Sequence, residues 1–290
     1  MENYTNCIAH STSEGNLLIG ENYTALFDCG MAFCADSTIQ NVKKALNGRG
    51  LDYLFITHTH YDHIGSLPFL RKEWSNLRLV TSQAGAAVLL KDTPRRVIRE
   101  LSTVVATQNN VKLGEAYNDD AFHADITVKD GDAIPLGGFS VQTLETPGHT
   151  RDSLSFFIPE LEILVLNETP GFLLDGRIYP CYLTSYNDAI KAIEKCRSLP
   201  YKFLSLPHRG IAAEEDAKGF FDKALESNIV CRDFILSAAE KNSNEEHLLD
   251  LYTQRYGNDL LFSYQPKEAF IVNARATIAC TLREFPLKAG

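Results

Sequence analysis

The sequence predicts a layered α/β protein with a helical C-terminal extension, and three observations carry that reading. Short apolar stretches alternate with helical periods up to about residue 107, a run of period-two segments follows residue 124, and the pattern turns predominantly helical after residue 213. The expected organisation is a sheet-containing domain over 1–213 and a helical cap or extension over 214–290 packed on it.

Taken in order, GNLLIGENYTALFDC (15–29) holds two apolar stretches around a turn-like GEN, a hairpin entering a sheet, with Asp28 closing its second strand. STIQNVKKALNGRG predicts a helix capped by Ser37 or Thr38 and stopped at Gly48 and Gly50. LDYLFIT is a buried strand that delivers Thr57 and His58 at its C-terminal end; SLPFLRKEW restarts a helix and RLVTS returns to a strand. Two helical patterns cover 82–91 and 94–107, before an irregular stretch near NNVKLGEAYNDD. From Ala124 to Thr150 the period becomes two, with DGD and LGG as turns, and SLSFFIPELEILVLNE adds a strand, a turn at PE and a strand ending at Asn167 and Glu168. SYNDAIKAIEKCRSLP is a helix capped by Ser185, and YKFLSLPH is a strand ending on His208. His58, His149, Glu168 and His208 thus fall at or just past strand ends, where loops held by a rigid sheet build sites.

Composition narrows the function classes. A 44% hydrophobic content over 290 residues fills a real core without staples. Seven cysteines, at 7, 29, 34, 181, 196, 231 and 280, include no C-x-x-C pair, which argues for a reducing compartment; Cys29 and Cys34 read as small buried hydrophobes rather than ligands. The N-terminal MENYTNCIAHST has neither the basic region nor the apolar run of an export signal, and no window is apolar enough to span a bilayer, so a cytoplasmic location and no membrane partner are expected. A formal charge of −9 opposes nucleic-acid binding, and the mixed signs of KDTPRRVIRE read as a solvated helical face.

The chemistry concentrates in FITHTHYDHIG, residues 55–65, which puts His58, His60, Asp62 and His63 within six positions. Packing has no use for four costly polar side chains so close together, whereas imidazole nitrogen with carboxylate oxygen suits zinc, iron or manganese. Outside the cluster, ETPGHT supplies His149, LVLNETPG supplies Glu168 and LSLPHRG supplies His208. The seven form two groups if His58, His60 and His149 hold one metal and Asp62, His63 and His208 another, with Glu168 bridging. His10, His123 and His247 read as ordinary polar histidines.

HTHYDH, PGH and PHRG at these separations resemble the metallo-β-lactamase-fold hydrolases, over about residues 15–211. The resemblance implies a four-layer αββα sandwich with a dinuclear centre at one edge of two facing sheets, and it implies the ligand partition just described. It also implies two divalent cations as cofactors, zinc with iron or manganese as alternatives. Asp28 in FDCG matches the aspartate that precedes the motif in that family and either holds the motif loop or receives a ligand histidine's ring proton. Asp62 and His208 are the candidates for direct catalytic participation. The chief departure is Glu168, where the family usually has aspartate; its longer side chain either bridges the metals or detaches to accept a proton.

A sheet domain followed by helices resembles glyoxalase II and the acyl-thioesterase-like members. That likeness implies a hydrolase cleaving a small-molecule thioester or related carboxylic ester through a metal-bound hydroxide, with Phe220, Phe221, Phe234, Leu248, Leu249 and Tyr252 either forming an apolar wall or packing as core. Flavodiiron reductases fit less well, since they carry glutamate where this chain has His60. Phosphodiesterase or lactonase activity is the alternative among enzymes. A regulatory or protein-interaction module with incidental hydrolysis is the alternative outside them, and homodimerisation through the helical region is the default assembly.

Overall fold

A computed structural model of the chain describes residues 3–8, 15–114 and 117–287; His10 lies outside them. The chain forms two compact units that are interleaved in sequence. The first comprises 1–145, 152–167 and 200–212, and the second 146–151, 168–199 and 213–290.

Fourteen strands are described: β1 (Tyr4–Asn6), β2 (Asn16–Ile19), β3 (Thr24–Phe27), β4 (Tyr53–Phe55), β5 (Arg78–Ser82), β6 (Ile126–Val128), β7 (Ala133–Pro135), β8 (Ser140–Glu145), β9 (Leu154–Ile158), β10 (Ile163–Val165), β11 (Phe172–Leu174), β12 (Arg177–Tyr179), β13 (Phe203–Leu206) and β14 (Gly210–Ile211). The first sheet runs β1-β2-β3-β4-β5-β6, antiparallel up to β3 and parallel from β3 to β6. The second runs β14-β13-β10-β9-β8-β7, antiparallel except for the β10/β13 pair.

Why these segments form a doubly buried sheet is visible residue by residue. Successive side chains of a strand point to opposite faces, so adjacent apolar residues serve two cores. Leu18, Phe27, Phe55 and Val80 face the second sheet's Leu154, Phe156, Ile158 and Val165. Their neighbours Leu17, Leu26, Leu54 and Leu79 join the opposite core, with helices α1 (Ala35–Leu46), α2 (Tyr61–Ile64) and α3 (Leu67–Glu73). Phe27, Phe55 and Phe156 seal the two sheets together, with ring centroids 5.3–5.6 Å apart.

Helices α4 (Gln83–Leu89) and α5 (Asp92–Gln108) complete the first unit. Ser82 caps α4 by accepting from the Gly85 amide. The capping expectation for α1 is corrected: the helix begins at Ala35, directly after a 3-10 turn, so Ser37 and Thr38 lie within its first turn and Thr38 is buried. At its other end Asn47 takes the left-handed C-cap position and Gly48, with φ of +91°, follows it.

The second unit holds the β11/β12 hairpin, α6 (Tyr186–Arg197), α7 (Glu214–Ala217), α8 (Phe220–Lys241), α9 (Glu245–Tyr256), α10 (Asp259–Tyr264) and α11 (Lys267–Glu284). Ser185 caps α6 as expected, accepting from the Asp188 amide at 3.1 Å. Leu248, Leu249 and Tyr252 are buried with Tyr182, Ile235 and Phe270 in this unit's own core, so they pack rather than form an open wall. No helix among the described residues is long and apolar enough to cross a membrane.

Candidate metal centre

The motif follows strand β4. Its backbone leaves the sheet at Thr57, reaches His60 in extended conformation and turns into α2, a single turn that carries Asp62 and His63. His58 and His63 are fully buried, and their rings lie 4.1 Å apart; the His58 and His60 rings lie 4.5 Å apart. Burying imidazoles this closely costs solvation that apolar packing would not, so a compensating partner is required.

Asp62, His63 and His208 form a group within the first unit, each offering a ligand atom, all within 4.8 Å of one another. Asp62 Oδ2 lies 3.8 Å from His63 Nε2 and 4.0 Å from His208 Nε2. Asp62 Oδ1 is buried and accepts no hydrogen bond among the described residues. A carboxylate oxygen removed from water in this way fits a cation, and a set of two imidazoles and a carboxylate is one that zinc, iron and manganese accept.

His208 sits on the β13/β14 turn, where Arg209 donates to the Leu206 carbonyl at 3.2 Å. Pro207 takes the first central position, and His208, with φ of +59°, takes the second, which in a type II turn usually belongs to glycine. A side chain other than glycine held in a left-handed conformation there carries a conformational cost. Gly210 must remain glycine, because its φ is +76° and a Cβ would lie 2.7 Å from Asn6 Nδ2.

Asp28 follows β3 with φ of +55° and accepts from three donors. Its Oδ1 receives the Thr57 amide at 2.7 Å; its Oδ2 receives the Thr57 hydroxyl at 2.7 Å and His63 Nδ1 at 2.9 Å. Because the carboxylate only accepts, the proton sits on His63 Nδ1 and the lone pair of the neutral ring is on Nε2, the atom nearest Asp62. Asp28 Oδ2 thus stands opposite the His63 Nδ1 proton. Beside it, burial and the Asp28 charge push the Cys29 thiol well above its ordinary range, so Cys29 stays a protonated core residue as expected.

His149 and Glu168 belong to the second unit. His149 donates from Nδ1 to the Cys181 carbonyl at 2.8 Å, which likewise leaves the lone pair on Nε2. Its amide donates to Thr169 Oγ1 at 3.2 Å, and that hydroxyl donates to the Thr146 carbonyl at 2.8 Å, tying the His149 turn to the residue after Glu168. Glu168 is buried, and burial, with the Glu168 charge adding to it, pushes the Cys181 thiol up to about 12.

Sequence reasoning missed three supports. Thr57 was visible only as a strand end. Asp152 accepts the Thr59 amide at 2.8 Å, while the Leu154 amide donates to the Thr57 carbonyl at 2.7 Å, so the backbone is pinned on both sides of His58. The third is the Cys181 carbonyl, which no side-chain pattern reports. Only Asp152 left a signal, a carboxylate three residues after His149 in PGHTRDS.

Two facing sheets with a histidine-aspartate cluster at their strand ends define a sandwich protein equipped to hold a divalent cation. The model of the metallo-beta-lactamase superfamily matches residues 16–208, and the chain belongs to that superfamily, whose members are generally metal-dependent hydrolases. It is 24% identical over 214 residues to the metallo-beta-lactamase fold-containing protein ST1585 of Sulfurisphaera tokodaii, covering 71% of this chain and 78% of that one. It is 28% identical over 130 residues to a hydroxyacylglutathione hydrolase of Idiomarina loihiensis, covering 45% of this chain and only 33% of that protein's length. Among solved structures, the metallo-beta-lactamase family protein TTHA1429 of Thermus thermophilus superposes with a TM-score of 0.59 at 16% identity, over 98% of this chain and 94% of that chain. The fold expected from the sequence, an α/β sandwich with a helical C-terminal region, is the fold observed.

Proposed function

We propose that this protein is a dinuclear metal-dependent hydrolase that cleaves a small-molecule thioester or related carboxylic ester. The convergence of Asp62, His63 and His208, with ligand atoms all within 4.8 Å of one another, carries the metal dependence. Hydroxyacylglutathione hydrolases at 25–28% identity support the substrate class, because a hydroxyacyl group on glutathione is a thioester; the matches span 33–47% of those proteins.

The ligand assignment follows the motif pattern: His58, His60 and His149 for one cation, Asp62, His63 and His208 for the other, and the Glu168 carboxylate for both. Divalent cations held by these residues supply Lewis acidity, lowering the pKa of a water and polarising the scissile carbonyl. The chain's own residues prepare for that chemistry. Asp28 and the Cys181 carbonyl hold His63 and His149 in the tautomer that presents Nε2. Asp62 brings a carboxylate with a buried oxygen, Oδ1, into the group with His63 and His208. His208, held by its turn, closes the same group.

Anaerobic purification with metal analysis, followed by matched thioester, lactone and phosphodiester substrates, tests the proposal. Two metals per chain and selective thioester turnover are expected, with turnover and the metal assigned to Asp62, His63 and His208 lost in Asp62→Ala with His63→Ala. Turnover of phosphodiesters alone would reverse the substrate assignment, and a metal-free wild type would remove the centre.

A further inference from the structure

We infer that Thr57 is a positioning residue that extends the Asp28 carboxylate to His58, so that one buried carboxylate orients histidines assigned to both metal subsites. The inference rests on the two-subsite assignment proposed above.

The hydrogen-bond bookkeeping leads there directly. Asp28 can only accept, so the 2.7 Å contact from Thr57 Oγ1 uses the hydroxyl's single proton. Thr57 Oγ1 also lies 3.1 Å from His58 Nδ1. With its proton committed to Asp28, the hydroxyl is the acceptor in that second contact, and His58 Nδ1 is the donor. In the neutral ring the His58 lone pair is then on Nε2. His63 reaches the same Asp28 oxygen directly, at 2.9 Å. Its longer 3.5 Å approach to Thr57 Oγ1 is secondary.

All four residues are buried, with at most 3% exposure, so bulk water does not compete for these bonds. The Thr57 backbone is fixed, because its amide is bound to Asp28 Oδ1 and its carbonyl receives the Leu154 amide, and the branched Cβ restricts the rotamers open to the hydroxyl. Threonine therefore stands at this strand end for its oxygen as well as for its branched shape. Valine keeps the shape and removes the oxygen; serine keeps the oxygen.

The proposal is tested in the wild type and in two variants, Thr57→Val and Thr57→Ser. Long-range 1H–15N spectra of the metal-free wild type are expected to show His58 protonated at Nδ1; a ring protonated at Nε2 alone overturns the relay, whether or not any variant folds. Cobalt(II) titration is expected to show one of two sites weakened about 10–100-fold in Thr57→Val, the cost typical of losing a ligand's supporting partner, with restoration in Thr57→Ser. Two unchanged sites in Thr57→Val would also overturn it. A wild type that takes up no cobalt defeats the metal-centre reading instead, and the His58 tautomer still decides the relay.

Discussion

His63 donates from Nδ1 to Asp28 Oδ2 across 2.9 Å, although 35 residues separate them in the chain. One carboxylate thereby ties the end of β3 to the helical turn of the motif, and the Cys29 amide reinforces the tie by donating to the His63 carbonyl at 2.8 Å. Asp28→Ala leaves a buried imidazole and two Thr57 donors without their acceptor, and since each unsatisfied buried donor costs about 1–3 kcal/mol, a loss of at least that size is expected in urea unfolding. Asp28→Asn tolerates the left-handed backbone better and should lose less. Equal losses in the two variants would assign the effect to the lost carboxylate hydrogen bonds rather than to backbone strain.

Asp152→Ala removes the acceptor of the Thr59 amide. A hydrogen bond to a charged, buried acceptor is worth about 1.5–3 kcal/mol, and a loss of that size is expected. Amide exchange should locate it: the Thr59 amide exchanges faster, while amides in the β9/β10 pair keep their protection. Uniform acceleration would mean that Asp152 supports the whole sheet instead.

Gly148→Ala should disrupt the His149 turn. The glycine has φ of +145°, and a Cβ would lie 2.7 Å from Ala189 Cα and from Thr169 Cγ2. Overpacking of this kind costs about 1–3 kcal/mol before backbone strain is added. Thermal unfolding measures it, and a variant as stable as the wild type would show that the turn can relocate.

Alkaline pH should destabilise the fold through its buried thiols. Burial pushes the Cys7 thiol from 9.0 up to about 11. The folded state therefore holds this proton more tightly than the unfolded state. The associated stability is fully present below about pH 9 and is lost as pH rises toward 11. Cys7→Ala should flatten that part of the stability profile, and an unchanged slope in urea unfolding between pH 9 and 11 would refute the attribution.

Much of the fold was legible because its signals are local. Ser185 before an amphipathic run caps α6, and paired apolar residues such as Leu26–Phe27 and Leu54–Phe55 mark strands buried on both faces. The β11/β12 hairpin was not read, because each strand is only three residues long and stands in no larger sheet. The start of α1 was misread because Ser37 and Thr38 resemble caps in isolation, whereas the preceding 3-10 turn begins the helix earlier.

The sequence by itself determined which residues have metal chemistry to offer: a cluster of three imidazoles and a carboxylate within six positions, with further candidates at strand ends. Residue type and spacing suffice for that, since coordination chemistry is a property of side chains. Only the tertiary structure decided how those side chains are prepared. Asp28 meets His63, Asp152 meets the Thr59 amide, and the Cys181 carbonyl meets His149 through contacts between segments 32 to 93 residues apart. Hydrogen bonds of that kind depend on where the sheets and turns bring backbone groups, and a carbonyl or amide carries no letter in the sequence.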